Sequence, residues 1–170
     1  LIIGRGPMWD YAPPNDSFGS HTPWATAGLL SDIKEVVIRP GVTSIGSWAF
    51  SSCDNLTNVI ISNSVLSVGN YAFSRCSSLT CITIPDNVTS IGYSAFNSCS
   101  SLTDINIPDS VTSIGDYAFF RCSSLTCITI PDNVTSIGYH AFDSCRSLTN
   151  ITIPDSVTSI GNSAFYGCSS

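Results

Sequence analysis

Eight cysteines are the residues of this 170-residue chain whose type and spacing most invite chemistry. Six of them, Cys53, Cys76, Cys99, Cys122, Cys145 and Cys168, recur every 23 residues without a slip, while Cys81 and Cys127 lie 46 apart. If each period is one coil of a stack, column neighbours about 4.8 Å apart fall within reach of the Cα separation of about 4.4–6.8 Å that a disulfide accepts. The A-F-x-x-C spacing nevertheless points each sulfur inward beside a phenylalanine such as Phe96, where cysteine acts as a small hydrophobe. Buried free thiols are therefore expected. Cys81 and Cys127 each precede an inward isoleucine and are expected on the outer face, about 9.6 Å apart across two coils, too far to pair. They read as exposed thiols or intermolecular links. Zinc on Cys76 with Cys81, or on Cys122 with Cys127, fails on direction, one sulfur facing in and the other out.

Asp86, Asp109, Asp132 and Asp155 make a second column, each following a proline. Stacked carboxylates could hold calcium. The reading preferred here is that each Pro-Asp opens an Asx turn, the carboxylate accepting the N–H two residues on, so no metal is assigned. Catalysis has little to build on. The only histidines are His21 and His140, neither next to a nucleophile motif, and no phosphate-binding or dinucleotide fingerprint occurs. No catalytic residue and no cofactor are assigned, and no enzyme is expected.

Only 11% of the residues are charged, against about 25% in typical soluble domains, and Ser, Thr and Asn take their place. That surface suits an extracellular or cell-surface setting. A net charge of −6 with a single lysine argues against nucleic acid, anionic membrane surfaces and acidic substrates. No run is long enough to insert in a membrane, and no targeting segment is visible, so a leader is expected to have been removed. Five sequons, at Asn15, Asn55, Asn87, Asn133 and Asn150, are glycosylation candidates in a eukaryotic producer.

The elements that must position these residues follow from the period. Each unit reads S-L-T-x-I-x-I-P-D-x-V-T-S-I-G-x-x-A-F-x-x-C. Leu79, Ile82 and Ile84 suit a short strand that Pro85 ends, because proline lacks an N–H. Val88 and Ile91 lie on a second extended segment, Gly92 permits a sharp turn, and Ala95, Phe96 and Cys99 mark one face of a helical turn. One unit is one coil of a solenoid, stable only when stacked. The unit ending at Cys76 departs from the pattern with Ser62 in place of the strand-ending proline.

The L-x-x-I-x-I-P…V-T-S-I-G-x-x-A-F-x-x-C units, from Asp32 to Cys168, resemble the leucine-rich repeats of the BspA-type family. The opening from Ile3 to Tyr11, Pro23-Trp24 and Ile33 to Ile38 is similar to the lead-in before such repeats in secreted proteins. The resemblance implies an α/β, right-handed leucine-rich-repeat solenoid with one short parallel-sheet strand and one short helical turn per 23-residue coil. Residues 1–30 form an N-terminal lead-in or cap and 31–170 the array, with coils ending at the six column cysteines. It also implies an extracellular recognition or adhesion role with a protein or glycan partner.

Two surfaces are candidates for binding. The outer strand positions form a polar ladder, with Asn58, Asp104, Asn150 and the two outer cysteines in one row and Thr83, Asn106, Thr129 and Thr152 in the next. Along the turn ridge run Trp48, Tyr71, Tyr93, Tyr117, Phe120, Tyr139 and Tyr166, whose packing between coils is expected, though such rings also anchor partners and sugars. The last unit is as apolar as an interior one. Its Leu148, Ile151, Ile153 and Phe165 are expected to form an open stacking end, opposite an apolar opening segment with Met8, Trp9 and Tyr11. The alternative function is therefore a filament subunit whose copies stack end to end.

Overall fold

The computed structural model describes residues 1–3, 6, 8, 10–11 and 22–169; of Ile2 and Ile3 the backbone alone is described. The expected positions Trp9, Asn15 and His21 lie outside the described residues.

Each 23-residue period closes one coil, and every strand pair is parallel with partners 23 residues apart in the array, such as Cys81 with Asp104 and Cys127 with Asn150. The first strand of each coil is short because of its proline. Cys81–Thr83, Asp104–Asn106, Cys127–Thr129 and Asn150–Thr152 have three residues each, whereas Asn58–Ile61 has four. The difference is Ser62, whose N–H donates to Ile38 O at 3.0 Å and carries the ladder one residue further. Side chains alternate as a half-buried strand requires: Ile82, Ile105 and Ile128 are buried, their neighbours exposed.

The second extended segment forms a six-stranded parallel sheet of two-residue strands, Ser44–Ile45, Ser67–Val68, Ser90–Ile91, Ser113–Ile114, Ser136–Ile137 and Ser159–Ile160. The glycine after each serves a different purpose from the sharp turn anticipated. Gly92 and Gly138 are not in the left-handed region. A Cβ on Gly138 would stand 2.5 Å from the Asp116 nitrogen, and one on Gly92 would stand 2.7 Å from the Gly69 carbonyl carbon. Glycine is present because consecutive backbones nearly touch.

The stretch expected to be a helical turn takes another form. Among the described residues the helices are Pro23–Thr26 and the 3-10 turn Leu30–Asp32, both ahead of the first full coil. In residues 48–53, Ala49, Ser51 and Cys53 donate N–H to carbonyls three residues back, while Trp48, Phe50 and Ser52 donate to Asn70, Ala72 and Ser74 of the next coil, each at 2.8 Å. An α-helix would spend all of these N–H groups within its own segment. Alternation lets half of them bind the neighbouring coil, and its conformational consequence is two left-handed residues per coil, such as Tyr71 at φ 56° and Arg75 at φ 63°.

The core is a set of columns running along the stack. Leu79, Ile82, Ile84, Val88, Ile91, Ala95, Phe96 and Cys99 are all buried. Phenylalanines stack face to face from Phe50 through Phe73, Phe96, Phe119, Phe142 and Phe165, with ring centroids 5.3–5.5 Å apart. Trp24, on the short helix, extends that column onto Phe50 at 5.3 Å. Rather than presenting an open apolar surface, the opening segment covers the first coil. Ile2–Ile3 pairs with Val37 and Ile38, Met8 is buried, and Tyr11 packs against Trp24. At the other end Leu148 is buried and Ile151 and Phe165 are half-buried, whereas Ile153 and Ile160 are 40% and 48% exposed.

Candidate functional site

The cysteine column is built for hydrogen bonding as well as packing. Cys76, Cys99, Cys122, Cys145 and Cys168 each donate S–H to a phenylalanine carbonyl 26 residues earlier, in the preceding coil, at 3.1–3.2 Å. Burial pushes the thiols of Cys53, Cys99 and Cys145 up to about 12, so they stay protonated and unreactive. Cys81 and Cys127 are exposed, with Asp104 on the strand between them. Among the described residues no three His, Cys, Asp or Glu side chains gather to hold a metal ion.

The Asx turns expected at Pro-Asp are absent. The N–H groups of Val88, Val111, Val134 and Val157 donate to the carbonyls of Pro85, Pro108, Pro131 and Pro154 at 3.0–3.1 Å. Asp86, Asp109, Asp132 and Asp155 are exposed, and their carboxylates take no hydrogen bond from any described residue. The residue after each aspartate makes the tertiary contact instead. Asn87 and Asn133 donate Nδ2 to Asn63 O and Asp109 O at 2.7 Å, while Ser110 and Ser156 donate to Val88 O and Val134 O. Among the sequons, Asn55 also spends its amide nitrogen on the preceding segment, at Ser31 O, whereas Asn150 makes only a 3.5 Å contact with its neighbour Thr149.

His140, which no nucleophile motif accompanies in the sequence, is engaged. Its Nδ1 meets Asp143 Oδ2, and Ser144 donates to the other carboxylate oxygen at 2.7 Å. The ring stacks on Tyr117 at 5.0 Å and meets Tyr139 edge-on at 4.1 Å. The three polar groups are joined in the wrong order for nucleophilic catalysis. The serine bonds the acid rather than the free imidazole nitrogen, so the imidazole is not placed to take its proton.

The outer strand row is exposed at Asn58, Thr83, Asp104, Asn106, Thr129, Asn150 and Thr152. Other threonines use their hydroxyls between coils, as Thr103, Thr126 and Thr149 do on carbonyls 23 residues back. Thr83, Thr129 and Thr152 make no such bond to a described residue, which leaves their hydroxyls facing solvent. On the ridge, Trp48, Tyr71, Tyr93, Tyr117 and Tyr139 form one ladder with centroids 3.9–5.7 Å apart. Beside it lies a groove of about 350 Å³ that also contains Arg75, Phe120 and Arg121. The arginines were not singled out from sequence, although their spacing of 46 matches that of Cys81 and Cys127.

Parallel coils of 23 residues with inward Leu, Ile and Phe columns define a leucine-rich-repeat solenoid. The family model for the BspA-type leucine-rich repeat region matches in six copies, over residues 29–148 and 89–170, and the chain belongs to that family. A leucine-rich repeat protein of T. pallidum is 30% identical with a TM-score of 0.80, the match covering 98% of this chain and 80% of that one. A leucine-rich repeat protein from Eubacterium ventriosum is 25% identical with a TM-score of 0.59, covering 98% of this chain and 59% of that one. The pneumococcal vaccine antigen PcpA, 22% identical with a TM-score of 0.53 and covering 81% and 43% of the two chains, shares the fold. A search of curated proteins found no match. No helix among the described residues is long and apolar enough to cross a membrane.

Proposed function

We propose that the chain is a non-catalytic recognition module of an extracellular or cell-surface protein, binding protein or glycan partners through its repeated outer surfaces. The observation that carries this reading is the outer strand row. Its threonine, asparagine and aspartate side chains are exposed on short parallel strands, and the side chains of Thr83, Thr129, Thr152, Asp104 and Asn106 make no hydrogen bond to a described residue of a neighbouring coil. A flat polar face of this kind makes many shallow contacts and suits an extended partner better than a small ligand. The sparsely charged, hydroxyl-rich composition supports the extracellular placement. The test is binding of the protein to immobilised matrix proteins and to cells. Replacing Thr83, Asn106 and Thr129 by lysine should abolish binding without changing the melting temperature. Unchanged binding by that variant would remove the strand row from the reading.

A further inference from the structure

Half of the chain's six lysine and arginine residues, Arg75, Arg121 and Arg146, gather on one edge of an acidic molecule, where they form no salt bridge with a described residue. Arg75 and Arg121 line the ridge groove, and Arg121 with Arg146 lines the adjoining one, of about 420 Å³; the two grooves share Ser98 and Arg121. Neither is lined by an Asp or Glu, although the chain has twelve. Among the described residues no guanidinium forms a salt bridge, the one such pair being His140 with Asp143. Net charge argued against acidic ligands. At a screening length of about 8 Å, however, a ligand in this groove feels the arginines first, because the neighbouring Asp143 is buried and its carboxylate is held by His140 and Ser144.

The chain path explains the gathering. Arg75, Ser98, Arg121 and Ser144 occupy one left-handed position in four successive coils, so Arg75 and Arg121 are two coils apart, about 9.6 Å at the strand spacing. The backbone N–H of each is held by the next coil, at Asn97 O (2.7 Å) and Asp143 O (2.8 Å), and Arg121 lies over the Phe120 ring at 5.0 Å. The same groove offers the aromatic rings of Trp48, Tyr71 and Phe120, the Asn97 amide and four serines. Trp48 stacks on Tyr71 at 3.9 Å and Arg121 lies over Phe120, so the rings offer their edges, which, bordered by hydroxyl and amide groups, suit the C–H groups and hydroxyls of a sugar, while guanidinium groups suit carboxylate or sulfate. No aliphatic side chain lines the groove to receive a peptide's apolar residue.

We propose that this groove binds an acidic oligosaccharide, whose sugar rings lie against Trp48, Tyr71 and Phe120 and whose negative groups are held by Arg75 and Arg121. The proposal rests on the recognition reading and assigns it a ligand class on a face other than the strand row. Its test measures binding of heparin oligosaccharides (sulfated), hyaluronan oligosaccharides (carboxylated), dextran (uncharged) and poly-glutamate. Arg75→Ser and Arg121→Ser install the residue that Ser52, Ser98 and Ser144 already carry at this position with φ 60–61°, so the fold tolerates both. Trp48→Ser likewise copies Ser94 and Ser163.

The expected result is binding of at least one acidic glycan and not of dextran, weakened about tenfold for each arginine removed. Trp48→Ser should weaken it too, whereas Arg39→Ser, a charge change elsewhere on the surface, should leave it intact. Absence of binding to both acidic glycans, equal binding by the arginine variants, or poly-glutamate bound as tightly as the glycans would overturn the proposal. If it is overturned while the protein still binds matrix or cells through the strand row, the recognition reading stands alone.

Discussion

The thiol of Cys99 donates to the carbonyl oxygen of Phe73, one coil back, at 3.1 Å. That carbonyl already accepts the N–H of Cys76 at 3.2 Å, so the cysteine column ties each coil to a turn of its predecessor. Native protein should therefore show two rapidly reacting thiols, Cys81 and Cys127, and a slower Cys168, which is half-buried. Cys53, Cys76, Cys99, Cys122 and Cys145 should react only in denaturant, without prior reduction. Column thiols blocked in pairs by sequence neighbour would show instead that the column is oxidised.

Alkaline pH should unfold the array. The Cys99 and Cys145 thiols are raised from 9.0 to about 12 by burial, so above about pH 9 the unfolded chain releases protons that the folded chain retains. Their contribution is whole below about pH 9 and is lost as pH rises to about 12, at about 1.4 kcal/mol per pH unit for each thiol. Denaturant titrations across this range should show the decline. Cys99→Ala with Cys145→Ala should make it shallower, and Cys81→Ser with Cys127→Ser should leave it as it is.

Gly138→Ala should destabilise the protein by about 1–3 kcal/mol or more through overpacking, because its Cβ would lie 2.5 Å from a backbone nitrogen that cannot move aside. Gly115→Ala, with its nearest contact at 3.0 Å, should cost less. The order of the two melting temperatures checks the close-approach explanation, since loss of turn freedom alone would make the two equal.

Adjacent residues Asp132 and Asn133 should behave differently. Asp132→Ala removes an exposed carboxylate that takes no hydrogen bond from the described residues and should change stability by no more than about 0.5 kcal/mol. Asn133→Ala breaks the 2.7 Å bond to Asp109 O and should cost about 1 kcal/mol. Calcium should shift neither melting temperature. A rise of many degrees with calcium, lost on Asp109→Asn with Asp132→Asn, would make the column a site.

The solenoid was legible in the sequence because each unit repeats its apolar positions, and a residue that faces inward in one coil must do so in all. The period, the strand that ends at Pro85, the second segment at Val88 and Ile91, and the burial of Phe96 and Cys99 all follow from that repetition. What one unit could not reveal is where its polar groups go, since their partners belong to the next coil at a distance set by stacking. The helical turn expected at Ala95, Phe96 and Cys99 becomes alternating turns because half of its N–H groups find carbonyls in the neighbouring coil. The Asx turn at Asp86 yields to the Pro85 carbonyl, and the glycine assigned to a bend serves close approach. Arg75 and Arg121 are 46 residues apart in sequence, and only the coiling of the chain brings them into one groove with Trp48 and Phe120. Inward residues are determined by the local pattern, whereas the binding surface is assembled across coils and depends on their register and spacing.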